Sequence, residues 1–316
     1  MAADSAVIMM YHRFGETAYP STNTTLDQLD AHIAELKNDK YTVLPVPEIL
    51  AAIREKRELP DRTVGITVDD AYLSVYTRAW PRLRAAGFPL TLFVATDAID
   101  AGYKDYMNWD QIRELRDAGV TIGSQTASHL HMAANSAARN MADLTRSNAQ
   151  FVAKLGSRPD LIAYPFGEAS TAVQKVVHNA GFVMAFGQHS GVLHTTANPF
   201  YLPRFALNEA FGDIDRFQLI ANALPIPHND LTPADPLLTV NPPPFGFTVA
   251  SGDYPLPGLA CYAVGQGQVQ IERLGPRVEV RLSEKFQPGR ARINCTARTK
   301  GGRWRWLGML YYVPNR

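Results

Sequence analysis

The sequence predicts an α/β protein, a closed or nearly closed (β/α) barrel followed by a small all-β sandwich. Three observations carry that prediction. Strand-like and helix-like patterns take turns as far as Leu224. The strand-like runs include "AVIMMYH", which reads as buried, and the apolar "LTLFVA", and strands alternating with helices imply a parallel sheet. Beyond Leu224 the chain becomes dense in proline, then breaks into short strand patterns with no helical period.

"AVIMMYH" opens the barrel as a buried strand. "TLDQLDAHIAELKND" then places Leu26, Leu29, Ile33 and Leu36 on one helical face, with Thr25 and Gln28 spaced as a capping box. "YTVLPV" reads as a strand and "PEILAAIREK" as a helix with Pro47 in its first turn. Next come the strand "TVGITV", an amphipathic stretch from Tyr72 to Ala86 closed by Gly87, the strand "LTLFVA", and the helix "WDQIRELRDAG" ended by Gly119. "VTIGS", "DLIAYPFG" and "FVMAFG" repeat the strand idea, with helical "AARNMADLTRSNAQFVAKLG" and "TAVQKVVHNAG" between them. About seven or eight such units favour a barrel, with a doubly wound open sheet as the alternative. The domain division read from this is a barrel over 1–224, a Pro-rich linker over 225–244 and a β-sandwich over 245–316.

Composition excludes several classes. Lys plus Arg number 31 against 30 acids, and no basic run suggests nucleic acid or a polybasic membrane anchor. No stretch approaches the roughly 18 continuous apolar residues of a transmembrane helix. "MAADSAVIMM" passes from a short polar leader straight into a strand, which suits a mature secreted protein and an ordinary cytosolic start almost equally. Cys261 and Cys295 are the only cysteines and lack metal-site spacing; a disulfide and two buried thiols both remain open.

In either fold, functional residues gather at the C-terminal ends of the strands. Asp69 and Asp70, in "GITVDDAYLS", lie at such an end, and so does His12. Two adjacent carboxylates repel unless a cation sits beside them; as a bland alternative they cap the next helix. The loop "VTIGSQTASHLHM" at another strand end offers Gln125, Ser128, His129 and His131. One Asp with two or three nitrogen or amide ligands makes a workable site for a divalent metal such as zinc.

"TVDDA", "IGSQTASHLHM" and "AYPFGE", in that order and spacing, resemble the three motifs of the polysaccharide deacetylase (NodB-homology) family, carbohydrate esterase family 4. Those motifs are T-F-D-D-G, H-[ST]-x-x-H and R-x-P-[YF]-G, and the resemblance spans roughly residues 5–224. It implies a distorted (β/α) barrel that uses a divalent metal, most often zinc, to remove acetyl groups from carbohydrate polymers. By the same resemblance Asp69 is the general base, Asp70 and His129 are metal ligands, and the backbone N–H of Phe166 stabilises the oxyanion. Tyr164 and Pro165 fall in the substrate-binding motif.

The sequence departs from the family in four places. Gln125 stands where the first metal histidine belongs, and His131 is the candidate to substitute for it. A neutral amide oxygen binds zinc less well than imidazole does. Ala163 replaces the Arg that orients the catalytic Asp, and Arg204, after the last strand pattern, is the candidate to pair with a site carboxylate instead. Ala71 replaces Gly, which matters only where φ is positive. The family's late general-acid histidine has no clean match: His189 and His194 are nearby in sequence, and His12 is favoured as the site-lining histidine.

The resemblance therefore implies a metal-dependent deacetylase, acting on N-acetyl groups of a cell-envelope or extracellular polysaccharide in the periplasm or outside the cell. A catalytically impaired barrel that binds carbohydrate or serves as a scaffold is the alternative. A glycoside hydrolase built on Asp69 and Asp70 is a poor third option, because neighbours on a strand face opposite ways.

Overall fold

In the computed structural model, which describes residues 2–250, 252 and 255–315, the apolar runs become the staves of a barrel. Ser5–Tyr11 (β1) is buried at every position and pairs in parallel with Thr63–Val68 (β2), likewise buried throughout. Thr91–Val94 (β3), Thr121–Ser124 (β4), Leu161–Ala163 (β5) and Met184–Phe186 (β6) continue the parallel sheet in chain order. Helices wrap the outside: Leu26–Leu36 (α1), Val46–Glu55 (α2), Trp80–Ala85 (α3), Trp109–Asp117 (α4), Ala137–Leu155 (α5), Thr171–Asn179 (α6) and Ile214–Ala221 (α7). The expected capping box of Thr25 and Gln28 starts α1. The Tyr72–Ala86 stretch is not one regular helix: a π-helical turn over Val75–Ala79 leads into α3, which carries Pro81 in its first turn, where no amide N–H is needed.

Closure is irregular, and the irregularity places a functional residue. The outer edge of β1 is shared by Leu193–His194 (β7), antiparallel at its start, and Phe205–Ala206 (β8), parallel near its end. Between them the chain hugs β6: Ala185 N–H donates to Pro199 O, Leu202 N–H to Ala185 O and Gly187 N–H to Leu202 O, each at 2.9 Å. The open sheet is thereby excluded, and Arg204 is carried into the barrel on this closing segment.

The second domain begins earlier than the sequence suggested. Part of the expected linker over 225–244 is woven into the sheet: Leu224–Pro225 (β9) and His228–Thr232 (β10) form its two edges. Gly246–Val249 (β11), Ala260–Ala263 (β12), Gly267–Leu274 (β13), Arg277–Arg281 (β14), Gly289–Arg298 (β15) and Trp304–Val313 (β16) fill the order β9-β16-β15-β12-β13-β14-β11-β10. Proline richness misled because Pro tolerates edge positions, where a ladder N–H is not required. The sheet folds over its own apolar face as a sandwich, so that Phe245, beside β11, meets Tyr311 of β16 at 6.2 Å. Cys261 and Cys295 face each other across β12 and β15 as a disulfide.

The two domains share a core. Ile162, Tyr164, Val173 and Val177 of the barrel belong to one buried cluster with Phe247, Ile293 and Tyr311 of the sandwich. Tyr201 OH lies 2.7 Å from Leu310 O and 3.1 Å from Gly167 O, and can donate to either carbonyl. Trp306 packs edge-on against Phe205 at 5.2 Å, so this ring serves the domain contact rather than a sugar.

Candidate active site

Asp69 follows β2 directly, and its N–H extends the strand ladder to Tyr11 O at 2.9 Å. Its carboxylate is fully buried and gripped at both oxygens: Arg204 Nη1 donates to Oδ1 at 2.7 Å and Nη2 to Oδ2 at 2.9 Å. Arg204, itself fully buried, also donates to Thr67 Oγ1 at 3.1 Å and Gly187 O at 3.0 Å. This fork is the geometry that orients a carboxylate most firmly. The structure thus supplies an Arg–Asp pair although position 163 is alanine. His12 approaches from β1, its Nε2 3.9 Å from Asp69 Oδ2.

At Asp70 the backbone turns into the left-handed region, φ +74° there and +54° at Ala71. The glycine replaced by Ala71 therefore lies where positive φ is required. Asp70 N–H donates to Gln125 Oε1 at 3.0 Å. Asp70 Oδ1 is buried and, among the described residues, has no hydrogen-bond partner; His129 Nε2 stands 3.3 Å away but off the hydrogen-bonding line. Burial acts to raise the Asp70 pKa, but His129, His12 and Tyr72 outweigh it and bring the carboxyl down to about 2. Gln125 is fully buried, and its Nε2 has no hydrogen-bond partner among the described residues.

His129 projects from a strained loop, with φ +68° at Thr126 and +54° at His129 itself. A residue the sequence reading passed over, Asp143 of α5, holds that loop: it accepts the N–H of Ala127 at 2.9 Å, the N–H of Ser128 at 3.1 Å and the Ser128 hydroxyl at 2.9 Å. Ser128 therefore faces the helix, not the site. Nothing in the sequence singles out Asp143, since Asn140 and Ser147 are also polar residues buried on the same helix.

His131 does not join Asp70 and His129. Its ring stacks on Phe166 at 3.9 Å, its Nδ1 meets Glu168 Oε2 at 2.7 Å, and the edge of Phe166 separates it from His129 at 4.6 Å. The buried carboxylate of Glu168, the residue after the third motif, wins it. Phe166 occupies a left-handed turn at φ +59°. Tyr164 and Pro165 are buried, and Tyr164 donates its hydroxyl to Phe200 O at 2.9 Å, so neither side chain is open to substrate. His194 pairs with Ser5 at the opposite end of the barrel. His189 is buried against Tyr201, with burial and Arg204 holding its pKa down to about 3.

Whether these residues suit a divalent cation can be judged from the donors. Among the described residues, no group of three or more His, Cys, Asp or Glu side chains is gathered for a metal. Two atoms do fit: ligands at about 2.0–2.1 Å from a tetrahedral centre lie about 3.3 Å apart, and Asp70 Oδ1 and His129 Nε2 are 3.3 Å apart. The Gln125 amide lies beside this pair, its oxygen accepting the Asp70 N–H. The rim beside this corner is aromatic: Tyr72 packs on Tyr106 at 4.8 Å, and Arg13 lies 3.5 Å over the Tyr72 ring.

The family model described as polysaccharide deacetylase matches residues 56–185. The Bacillus subtilis (strain 168) protein YxkH is 24% identical over 210 residues, 65% of this chain and 74% of its own length. The poly-β-1,6-N-acetyl-D-glucosamine N-deacetylase of Staphylococcus aureus (strain MSSA476) is 23% identical over 234 residues, covering 65% of this chain and 80% of the relative. Among solved structures, the Streptococcus pyogenes deacetylase PplD in complex with acetate superimposes with a TM-score of 0.63 at 20% identity, over 69% of this chain and 98% of that one.

Proposed function

Because the chain belongs to the polysaccharide deacetylase family, we propose that it hydrolyses N-acetyl groups of an acetylated polysaccharide with the help of a divalent cation, zinc in the first instance. The observation that carries this reading is the pairing of a fully buried, Arg-oriented carboxylate at Asp69 with an unsatisfied Asp70–His129 corner one residue away. Asp70 and His129 would hold the cation, with the Gln125 amide alongside. When bound, it supplies an acidified water and polarises the acetyl carbonyl.

The chain's own groups account for the proton traffic. Asp69, fixed by Arg204, keeps a lone pair on each oxygen and takes the proton of the attacking water. The backbone N–H of Phe166 donates to the oxyanion as the carbonyl carbon becomes tetrahedral. As the C–N bond breaks, the nitrogen takes a proton from His12 and leaves as the amine, and acetate is the other product. The Cys261–Cys295 disulfide supports an oxidising compartment, periplasmic or extracellular. No helix among the described residues is long and apolar enough to cross a membrane.

The test is acetate release from β-1,6-linked N-acetylglucosamine oligomers. Asp69→Asn should lower kcat by about a thousandfold while the fold persists, and a strong chelator should abolish turnover. Acetate release indifferent to both treatments would remove the reading. Gln125 favours one second reading, a barrel that binds acetylated glycan without turning it over, since the amide is a weaker ligand than the histidine it replaces.

A further inference from the structure

A groove of about 550 Å³ opens where the barrel meets the sandwich, beside the turn that carries Phe166. His131, Asn135 and Glu168 line it from the barrel, and Gly289, Tyr312 and Asn315 from the sandwich. The groove and the catalytic corner share a wall. The ring of His131 lies flat on Phe166 at 3.9 Å, and Phe166 meets His129 edge-on at 4.6 Å. Only this layer of rings separates the groove from the residue that faces Asp70.

The wall is rigidly built. Glu168 is almost fully buried, and its Oε2 holds His131 Nδ1 at 2.7 Å. That contact leaves the other ring nitrogen, Nε2, on a side chain that is 54% exposed. From the sandwich, Arg290 Nε stands 3.9 Å from Glu168 Oε1, and its guanidinium carbon 5.9 Å from the Phe166 ring centre.

We infer that this groove binds the sugar unit next to the one being deacetylated, so that the sandwich forms half of a polysaccharide subsite; the inference rests on the deacetylase reading above. The chemistry of the lining matches a pyranose. Tyr312 in the lining would supply an aromatic surface for its C–H side, and the amides of Asn135 and Asn315, the His131 imidazole and the Tyr312 hydroxyl would serve the sugar hydroxyls. The volume lies within the usual range for small-molecule sites, about 300–1,000 Å³. The charged groups at the groove are already engaged with each other, which leaves hydrogen bonding and stacking as its means of recognition.

The experiment compares N-acetylglucosamine with its β-1,6-linked oligomers from dimer to hexamer. For the wild type kcat/KM rises with length. The double variant Tyr312→Ala/Asn315→Ala should lose that gain, dropping about tenfold on the hexamer, mainly through KM, while N-acetylglucosamine, which has no neighbouring sugar to place in the groove, stays within about twofold. Tyr312→Phe should retain most of the hexamer rate, because the ring face remains. An equal loss at every length, or no loss on the hexamer, overturns the subsite. If the wild type releases no acetate from any oligomer, the deacetylase reading has failed, and hexamer binding by titration calorimetry decides the subsite alone. Binding that weakens in the double variant sustains it; equal binding by both proteins, or none by the wild type, overturns it.

Discussion

Around Asp69 each oxygen has a donor, the donor is itself held by Thr67 and Gly187, and neither Asp69 nor Arg204 reaches solvent. One residue later, Asp70 leaves Oδ1 buried with no hydrogen-bond partner among the described residues, beside a Gln125 amide nitrogen in the same condition. The same residue type in consecutive positions thus meets two opposite environments. Buried polar atoms are normally paired, and on the proposed reading the unpaired set is where a cation would bind. One corner is complete in its hydrogen bonds and the other is not.

Breaking the finished corner should have the largest effect. Arg204→Ala strands a buried carboxylate and should cost about 3–5 kcal/mol of stability, read from urea unfolding; an unchanged midpoint would mean that the pair does not hold this part of the barrel. Acid probes the same corner through His189, whose backbone carbonyl accepts the Arg204 N–H. Its folded pKa, held to about 3 by burial and Arg204, lies below the 6.5 of a free imidazole. The unfolded chain therefore binds the proton first, and stability falls as pH drops from about 6.5 towards 3, by roughly 2 kcal/mol at pH 5. His189→Gln should flatten that slope in urea midpoints measured between pH 7 and 5.

Completing the unfinished corner should act on binding instead. Gln125→His supplies a second imidazole beside His129 and should tighten zinc binding by about tenfold or more in chelator competition. An unchanged affinity would show that position 125 is not the third place of the site. The smallest effect belongs to the backbone. Ala71→Gly relieves about 1–2 kcal/mol of left-handed strain but loses a buried methyl and stiffens nothing in the unfolded chain, so its thermal stability should stay within about 1 kcal/mol of the wild type.

Much of this contrast was legible in the chain. Period and apolar runs foretold the strands and helices of the barrel, and motif order placed Asp69, Asp70 and His129 at strand ends that the fold brings together. Arg204 could be named as a partner in search of a carboxylate, but its reach depends on the irregular closing segment, which has no periodic signature. Asp143 and Glu168 were illegible because their roles are set by tertiary neighbours 15 and 37 residues away in sequence. Tyr164 and Pro165 fall in the substrate-binding motif yet are buried, because a motif records residue types and not which way each side chain points. The proline-dense stretch hid two edge strands for the reason that prolines suit edges.

The Tyr201 hydroxyl, poised between a carbonyl of the Phe166 turn and one on β16, makes barrel and sandwich a single mechanical piece. Trimming the protein at the end of α7 would strip the covering from Ile162, Val173 and their neighbours and leave a sticky flank in place of an independent catalytic unit. The sandwich is accordingly a structural tenant that cannot be evicted, and heating should melt both halves in one step.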